Sequence, residues 1–443
     1  MNLKNKKKLF IKTFGCQMNI YDSQKIIKIL EDEYGLTEEV SEADLVIVNT
    51  CSVRDKPEQK VYSFLGEMRE YKLRNPNLLV GVGGCVAQQE GENILRRSKI
   101  VDFVFGTHNI SLVPTLIQER LENGRAVSAL GYRDEWEDLP LGLGGASGVS
   151  AFVAISRGCN KRCSYCIVPT TRGKEVSRAP DEIKREVQLL ARSGVKEVVL
   201  LGQTVNSYGF DLKPAWSFAD LLRSISDIEG IERIRFTSPH PNFMTPDLIA
   251  CVADNPKICR HFHMPLQAGS DRILKLMKRG YTKERYLQTI AAIKDAIPEM
   301  AFTTDVIVGF PSETEAEFRE TVEVLQLVPF VNTFSFAFSP RPRTPAETMA
   351  GQLSHAEKFA RLYTYQAEQN KLEAAYLESW LGKECQILLE GESSGDNNLL
   401  FGRNSQNIVV NLTSQEVALE LGTLVNVVIT GMGRHTLKGE VRN

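Results

Sequence analysis

Nine cysteines are spread along 443 residues, and six of them fall into patterns that could do chemistry. The first is the run Arg157-Gly-Cys159-Asn-Lys-Arg-Cys163-Ser-Tyr-Cys166, which follows an apolar strand-like segment and has no fourth cysteine nearby. Structural zinc wants four closed ligands, commonly in C-x2-C pairs, so this spacing suits it poorly. A cubane iron–sulfur cluster fits better: three irons take thiolates and the fourth stays open to another ligand. Incidental thiols on a basic loop are the bland alternative, and three cysteines in one short run speak against it.

The second pattern is dispersed. Cys16, Cys51 and Cys85 each lie just past a strand-like run, in Ile11-Lys-Thr-Phe-Gly-Cys16, Val46-Ile-Val-Asn-Thr-Cys51 and Val80-Gly-Val-Gly-Gly-Cys85, one βα unit apart. Parallel neighbouring strands would deliver all three sulfurs to one carboxyl-end crevice. Singly, each is as well explained as a buried core thiol; the shared register favours a second three-thiolate site. Cys251, Cys259 and Cys385 share no register and read as packing residues. A plain electron carrier closes its cluster with four cysteines, so two open sites argue for catalysis.

These loops require strands to carry them. Leu9–Thr13, Asp44–Asn49, Leu78–Val82 and Val104-Phe-Gly alternate with helical periodicity over Ser23–Tyr34, Pro57–Tyr71 and Ser111–Leu121, which predicts an N-terminal parallel α/β domain over 8–125. A glycine-dense stretch, Leu141-Gly-Leu-Gly-Gly-Ala-Ser-Gly148, reads as a linker. Six further strand–helix alternations, from Phe152–Ser156 to Thr333–Phe338, predict a partial (βα)6 barrel within a domain over 145–375. Closely spaced strands at Cys385–Leu389, Leu399–Arg403, Ile408–Leu412 and Leu424–Thr430 predict a small β-barrel over 378–442. The fold class is therefore α/β, and three domains suit the length at roughly 150 residues each.

Composition narrows the setting. With 53 Lys and Arg against 55 Asp and Glu, the formal charge of −2 excludes nucleic-acid binding by global charge and leaves only local basic faces. The C-terminal barrel is itself more acidic than basic, so Arg403, Arg434, His435 and Lys438 would have to converge to hold RNA. Lys12 cuts the first apolar run too short for a signal-peptide core, and no segment is long enough to span a membrane. A reducing cytoplasm is the expected compartment, where clustered cysteines bind metal more often than they cross-link.

The run Gly158–Cys166 resembles the signature of radical S-adenosylmethionine enzymes, and the chain from Thr13 onward resembles their methylthiotransferase family. The match is carried by Gly15-Cys-Gln-Met-Asn19, Asn49-Thr-Cys-Ser-Val-Arg54, Gly83-Gly-Cys-Val-Ala-Gln88, Arg172-Gly-Lys-Glu-Val-Ser-Arg178, Pro265-Leu-Gln-Ala-Gly-Ser-Asp271 and Asp305-Val-Ile-Val-Gly-Phe-Pro311. The Cys16-Gln-Met-Asn form followed by Tyr21-Asp-Ser favours the tRNA-modifying branch over the relative that modifies a ribosomal-protein aspartate. The resemblance implies that Cys159, Cys163 and Cys166 hold the 4Fe–4S cluster whose open iron binds S-adenosylmethionine. It implies equally that Cys16, Cys51 and Cys85 hold an auxiliary 4Fe–4S cluster serving as sulfur platform. The C-terminal barrel would be a TRAM domain contacting the tRNA anticodon stem-loop, and N6-(dimethylallyl)adenosine at position 37 would receive the methylthio group. An electron-donating reductant protein, a sulfur source and a monomeric enzyme complete the expectation. Alternatives are a threonylcarbamoyl-adenosine or protein-aspartate substrate, or an iron–sulfur RNA-binding module without turnover.

Pocket residues are less determined. Gln203, in Gly202-Gln-Thr, lies where many relatives carry a Gly-Gly-Glu-like turn for the amino group of S-adenosylmethionine, from which this chain departs. Gln267, Asp305 and His240 sit at comparable strand edges as cofactor-binding candidates, with a constrained turn as the other explanation for His240. Gly309–Glu313 would let backbone approach the adenine, while Ser312 and Glu315 equally spell a helix-start capping box. His261 and His263 read as barrel packing rather than metal ligands. Arg172, Lys174 and Arg178 follow the cysteine loop and could meet phosphates or simply be solvated.

Overall fold

Residues 6–52, 57–142, 144, 145, 148–393, 399–413 and 419–442 are described in the computed structural model of the chain. Val53 and Arg54 of the Cys51 motif lie outside them. The first sheet has six parallel strands: β1 (Lys7–Thr13), β2 (Tyr34–Leu36), β3 (Leu45–Thr50), β4 (Leu79–Gly84), β5 (Phe103–Phe105) and β6 (Val127–Ala129), in the order β2-β1-β3-β4-β5-β6. Strands β3 and β4 are buried along their whole length, which is why they read as continuous runs rather than as alternation. Helices α1 (Gln17–Leu30), α2 (Pro57–Arg74), α3 (Cys85–Glu90), α4 (Asn93–Arg97) and α5 (Val113–Asn123) flank the sheet, and two apolar clusters form, one around Leu45 and Ile47, the other around Val46 and Val48. Helix α1 starts six residues before the Ser23 expected from periodicity. Its first turns bury Asn19, Asp22 and Ser23, polar residues that hide the apolar period.

The central body contains β7 (Ser150–Ala154), β8 (Ser156–Arg157), α6 (Val168–Arg172), β9 (Val176–Ser177), α7 (Pro180–Arg192), β10 (Glu197–Leu201), α8 (Phe218–Ser226), β11 (Arg233–Phe236), α9 (Pro246–Asp254) and β12 (His261–His263). It continues with α10 (Asp271–Leu276), α11 (Lys283–Ala296), β13 (Ala301–Val308), α12 (Glu315–Leu327), β14 (Phe330–Ala337) and α13 (His355–Glu378). Strands β7-β10-β11 and β12-β13-β14 form two parallel groups, stitched together where Ile234 N–H donates to Lys257 O and Cys259 N–H to Ile234 O. The result is the six-stranded partial barrel, with helices packed over its outer face in one large core. The hairpin β8–β9, too short to be legible in sequence, frames the cysteine loop. Helix α12 is capped by a reciprocal box of Thr314 and Glu317, not by Ser312 and Glu315. Ser312 has φ 63°, whereas a cap needs the extended backbone that Thr314 adopts.

The last body is a closed barrel of β15 (Glu384–Glu392), β16 (Leu400–Asn404), β17 (Val409–Leu412), β18 (Leu424–Met432) and β19 (Leu437–Val441), in the order β15-β16-β17-β19-β18. Its fifth strand, Leu437-Lys-Gly-Glu-Val, alternates over only five residues with a glycine at its centre, too short a pattern to be read from sequence. Arg233 and Arg235 of β11 reach across to carbonyls of Gln386, Arg403, Asn404 and Ser405, fixing this barrel against the central sheet. At the other end, buried Lys25 of α1 donates to Pro140 O (2.9 Å), Gly142 O (3.0 Å) and the Glu186 carboxylate. The chain is thus strapped down at Pro140 and Gly142, where the glycine-dense stretch begins, because these carbonyls complete the shell of a buried cation. Glu186 also accepts from Arg178.

Removing one member of such a buried charge cluster leaves the others uncompensated, at a cost of about 3–5 kcal/mol. Glu186→Ala should therefore lower the thermal midpoint by several degrees and speed protease cleavage between residues 130 and 150. An unchanged cleavage rate there would show that the latch does not hold the two bodies together.

Candidate functional site

Cys159, Cys163 and Cys166 sit on the loop between β8 and α6, at the carboxyl end of the first barrel strand. Gly158 at φ 74° opens the loop, and a side chain there would run into the Lys174 carbonyl. Each sulfur has donors. Lys161 N–H and the Thr204 hydroxyl lie 3.4 and 3.9 Å from Cys159 Sγ, and Arg279 Nη1 lies 3.3 Å from Cys163 Sγ. Burial pushes the Cys166 thiol up to about 12 and raises that of Cys159. Burial works against the charge of Arg279, but Tyr165, Tyr281 and Cys163 hold its guanidinium well above its ordinary range.

The register of the first sheet places Thr13 beside Asn49 and Thr50 beside Gly84, so the ends of β1, β3 and β4 present Cys16, Cys51 and Cys85 together. Gly15 has φ 115°, and a Cβ there would stand 2.7 Å from Cys51 Sγ. Cys16 caps α1, Cys85 begins α3, and both thiols feel Arg172. The hydrogen bond from Cys51, with Arg172 assisting against burial, brings the Cys16 thiol down to about 5. Burial raises that of Cys85.

Arg172 joins the two sets. It ends α6, the helix that leaves Cys166, and donates to Asn19 Oδ1 (3.0 Å) and Asp22 Oδ2 (2.8 Å) of α1. The last carbonyls of α6 are taken by the N-terminal body: Thr107 Oγ1 donates to Thr171 O (2.6 Å), His108 Nε2 to Arg172 O (2.8 Å) and Tyr132 OH to Thr170 O. Arg172 and Arg178 are therefore buried ion-pair partners, not the phosphate contacts that their loop position allowed. Lys174 alone of the three is exposed.

Of the four pocket candidates, Gln203 and His240 lie by the cysteine loop, and Gln267 and Asp305 sit together at the edge of β13. Thr204 ties the Gln203 turn to Cys159. His240 is buried, locked to Asn206 through its backbone, and its Nδ1 accepts from Asn242 N–H, which leaves the proton on Nε2. Burial, then Arg279 and Lys161, bring its pKa down to about 3, so the ring is neutral. Gln267, at φ 75°, is bridged by backbone to β13, its N–H donating to Asp305 O. Asp305 itself accepts from His263 (3.3 Å). His261 and His263 both bond the Thr303 hydroxyl at 3.0 Å, as packing predicts. In the C-terminal barrel Arg403 pairs with Glu390 and His435 with Glu373, leaving Arg434 and Lys438 exposed. Arg279 and Tyr281 went unnoticed in the sequence; the signal was a Lys-Arg-Gly-Tyr turn directly after α10.

Comparison with known proteins places this geometry. The Radical SAM superfamily pattern matches residues 153–325, and that of the Uncharacterized protein family UPF0004 matches residues 8–106. The tRNA-2-methylthio-N(6)-dimethylallyladenosine synthase of Geobacter metallireducens is 47% identical over 439 residues, covering 98% of each chain. That of Acetivibrio thermocellus is 43% identical over 98% of this chain and 91% of its own. The chain belongs to this synthase family, the radical S-adenosylmethionine methylthiotransferases. Among solved structures, the radical S-adenosylmethionine methyltransferase TsrM of Kitasatospora setae shares the fold with a TM-score of 0.58, at 16% identity over 77% of this chain and 75% of its own.

The donor sets fit the groups this family implies. Gln203 Oε1, Ser156 Oγ and His240 Nε2 are buried around the cysteine loop without protein partners, as expected where a polar cofactor is to be bound. Among the described residues no three His, Cys, Asp or Glu side chains are set to hold a single metal ion. A cubane places each thiolate on its own iron and so needs a wider triangle.

His108 gives the α6 clamp a pH dependence. Burial, then Arg157, hold its pKa near 4, against an ordinary value of 6.5. The unfolded chain takes up this proton below about pH 6.5 and the folded chain does not, so its contribution is full above 6.5 and is lost as the pH falls towards 4. Thermal midpoints measured between pH 7 and 5 should fall more steeply for the wild type than for His108→Asn. Parallel profiles would show that His108 does not titrate in this window.

Proposed function

We propose that the chain is a tRNA methylthiotransferase that converts N6-(dimethylallyl)adenosine at position 37 into its 2-methylthio derivative. The observation that carries this is the physical link between two three-cysteine sets, through Arg172 at the end of the helix leaving Cys166. One set would hold the cluster that binds S-adenosylmethionine, the other an auxiliary 4Fe–4S cluster.

Carbon 2 of adenine carries an unactivated C–H bond and no acidic proton, so no general base opens it. Bound at these sites, the clusters and S-adenosylmethionine supply the one-electron chemistry that removes this hydrogen and the sulfur and methyl group that replace it. The protein's part is placement. His240, neutral and locked by Asn206 and Asn242, presents an N–H donor to the cofactor pocket; Gln203 and Ser156 present further polar atoms. Arg279, Lys161 and Thr204 donate to the cysteine sulfurs and so tune the cluster they would hold. The target base has to leave its stack, which costs least in a single-stranded loop such as the anticodon loop.

Residues 8–125 then act as the auxiliary-cluster domain, 145–375 as the radical core and 378–442 as a TRAM-like RNA-binding domain, with Arg434 and Lys438 as its free cations. A reductant protein and a sulfur source complete the cycle of a monomeric enzyme. A cytoplasmic setting is part of this reading, since the proposed substrate is tRNA.

Anaerobic reconstitution should load about eight irons per wild-type chain and about four in Cys51→Ala. That variant should still cleave S-adenosylmethionine to 5′-deoxyadenosine yet make no methylthio product. Loss of both activities would refute separate roles for the two cysteine sets. Nucleoside mass spectrometry of tRNA from a deletion strain should show the prenylated species without its methylthio group; loss of a carbamoylated species instead would assign the sibling substrate.

A further inference from the structure

Two sides of the central barrel are covered by the neighbouring bodies. Met18 and Tyr21 of α1 pack on Ala154, Val199 and Leu201 at the β7–β10 side, and the C-terminal barrel is fixed to β11 by Arg233 and Arg235. The β13–β14 side differs. Successive residues of a strand point to opposite faces. Gln369 and Gln366 of α13 engage Thr333 and Ser335, so the helix occupies one face of β14. Phe334 and Phe336 point to the other face, 48% and 49% exposed, the only two Phe of the barrel strands left so open among the described residues. Phe334 is beside Asp305 in the register, and its ring lies 5.7 Å from that of His263. At the open edge of the sheet the two rings line a cavity of about 320 Å³ with Gln366, Asn370 and the exposed Arg434 of the C-terminal barrel.

We propose that Phe334 and Phe336 form the wall that reads the N6-dimethylallyl group of the target adenosine, with Arg434 at the rim for a flanking phosphate. This rests on the substrate stated above. Two half-exposed aromatic rings on the Asp305 face of β14 expose apolar surface that a neutral, branched hydrocarbon would bury. Charge works in the same direction: a threonylcarbamoyl carboxylate laid on these rings would stand beside the Asp305 carboxylate, with Arg434 only at the cavity rim. The wall thus discriminates by the substituent, and the cysteine sites are left to perform the same chemistry on whichever base is admitted.

The test uses cluster-loaded, full-length protein and anticodon stem-loops carrying plain, dimethylallyl or threonylcarbamoyl adenosine at position 37. Fluorescence anisotropy should show the wild type preferring the dimethylallyl RNA by about 10-fold or more, the discrimination an apolar pocket gives. Phe334→Ala and Phe336→Ala should each cut this preference to about 3-fold or less, while affinity for the plain RNA stays within about 2-fold. Phe336→Leu, which keeps an apolar side chain, should retain most of it. Persistence of the preference in both alanine variants overturns the proposal, as does equal weakening for all three RNAs. A wild-type dimer that these substitutions dissociate would give the face to a second copy and overturns it too. If the wild type makes the methylthiolated product while the preference survives the alanines, only the wall fails. If it makes no such product from the dimethylallyl RNA, the substrate assignment fails and takes the wall with it.

Discussion

The placement of one five-residue helix governs the rest of the site. A helix as short as α6 has no stability of its own, since its end carbonyls lack intrahelical partners and nucleation is costly. Thr107, His108 and Tyr132 supply those partners from the N-terminal body, and Arg172 answers with bonds to Asn19 and Asp22. Because α6 begins directly after the Cys159–Cys166 loop, holding its far end fixes that loop against the crevice of Cys16, Cys51 and Cys85. The two cysteine sets are thereby kept in one geometry.

The same economy runs through both interfaces of the central barrel. Lys25, Arg178 and Glu186 join it to the N-terminal body, and Arg233, Arg235 and Glu197 face the C-terminal one. Buried charges of this kind add little net stability against apolar residues of the same shape, but they tolerate only one docking. Their carbonyl partners, Pro140 and Gly142 on one side and Gln386, Arg403, Asn404 and Ser405 on the other, set the register of each body on the sheet. What stays uncovered is the β13–β14 flank of the lumen.

Much of this was legible in the sequence, for identifiable reasons. Leu9–Thr13 and Asp44–Asn49 lie within two residues of the bounds of β1 and β3, and Pro57–Tyr71 starts where α2 starts, because each is an apolar run or a helical period between clear turns. The two cysteine sets could be read because strand ends in a parallel sheet share an edge, so spacing alone predicts neighbours. Tertiary pairings were not legible. Arg172 and Arg178 look like solvated loop charges until Asp22 and Glu186, far away in sequence, are folded against them. Short elements escaped for a related reason: β8, β9 and β19 owe their form to pairing partners rather than to their own pattern. Ser312 looked like a cap by spacing, but its backbone conformation assigns that role to Thr314.

The two cysteine sets also differ electrostatically in a way that spacing does not reveal. A thiol must lose its proton to become a ligand, and the sites meet that cost differently. At the first set the hydrogen bond from Cys51, with Arg172 assisting, lowers the Cys16 thiol at a helix start, while burial raises that of Cys85. At the second, burial disfavours the thiolates of Cys159 and Cys166, and stabilisation comes from Lys161 N–H, Thr204 and Arg279. Deprotonation of the buried thiols is favoured by cations that are themselves anchored from a distance: Arg172 by Asn19 and Asp22, Arg279 by Tyr281 and the Pro265 carbonyl. Those anchors lie on different elements from the cysteines they serve, so a competent site of either kind forms only when the surrounding body has already folded.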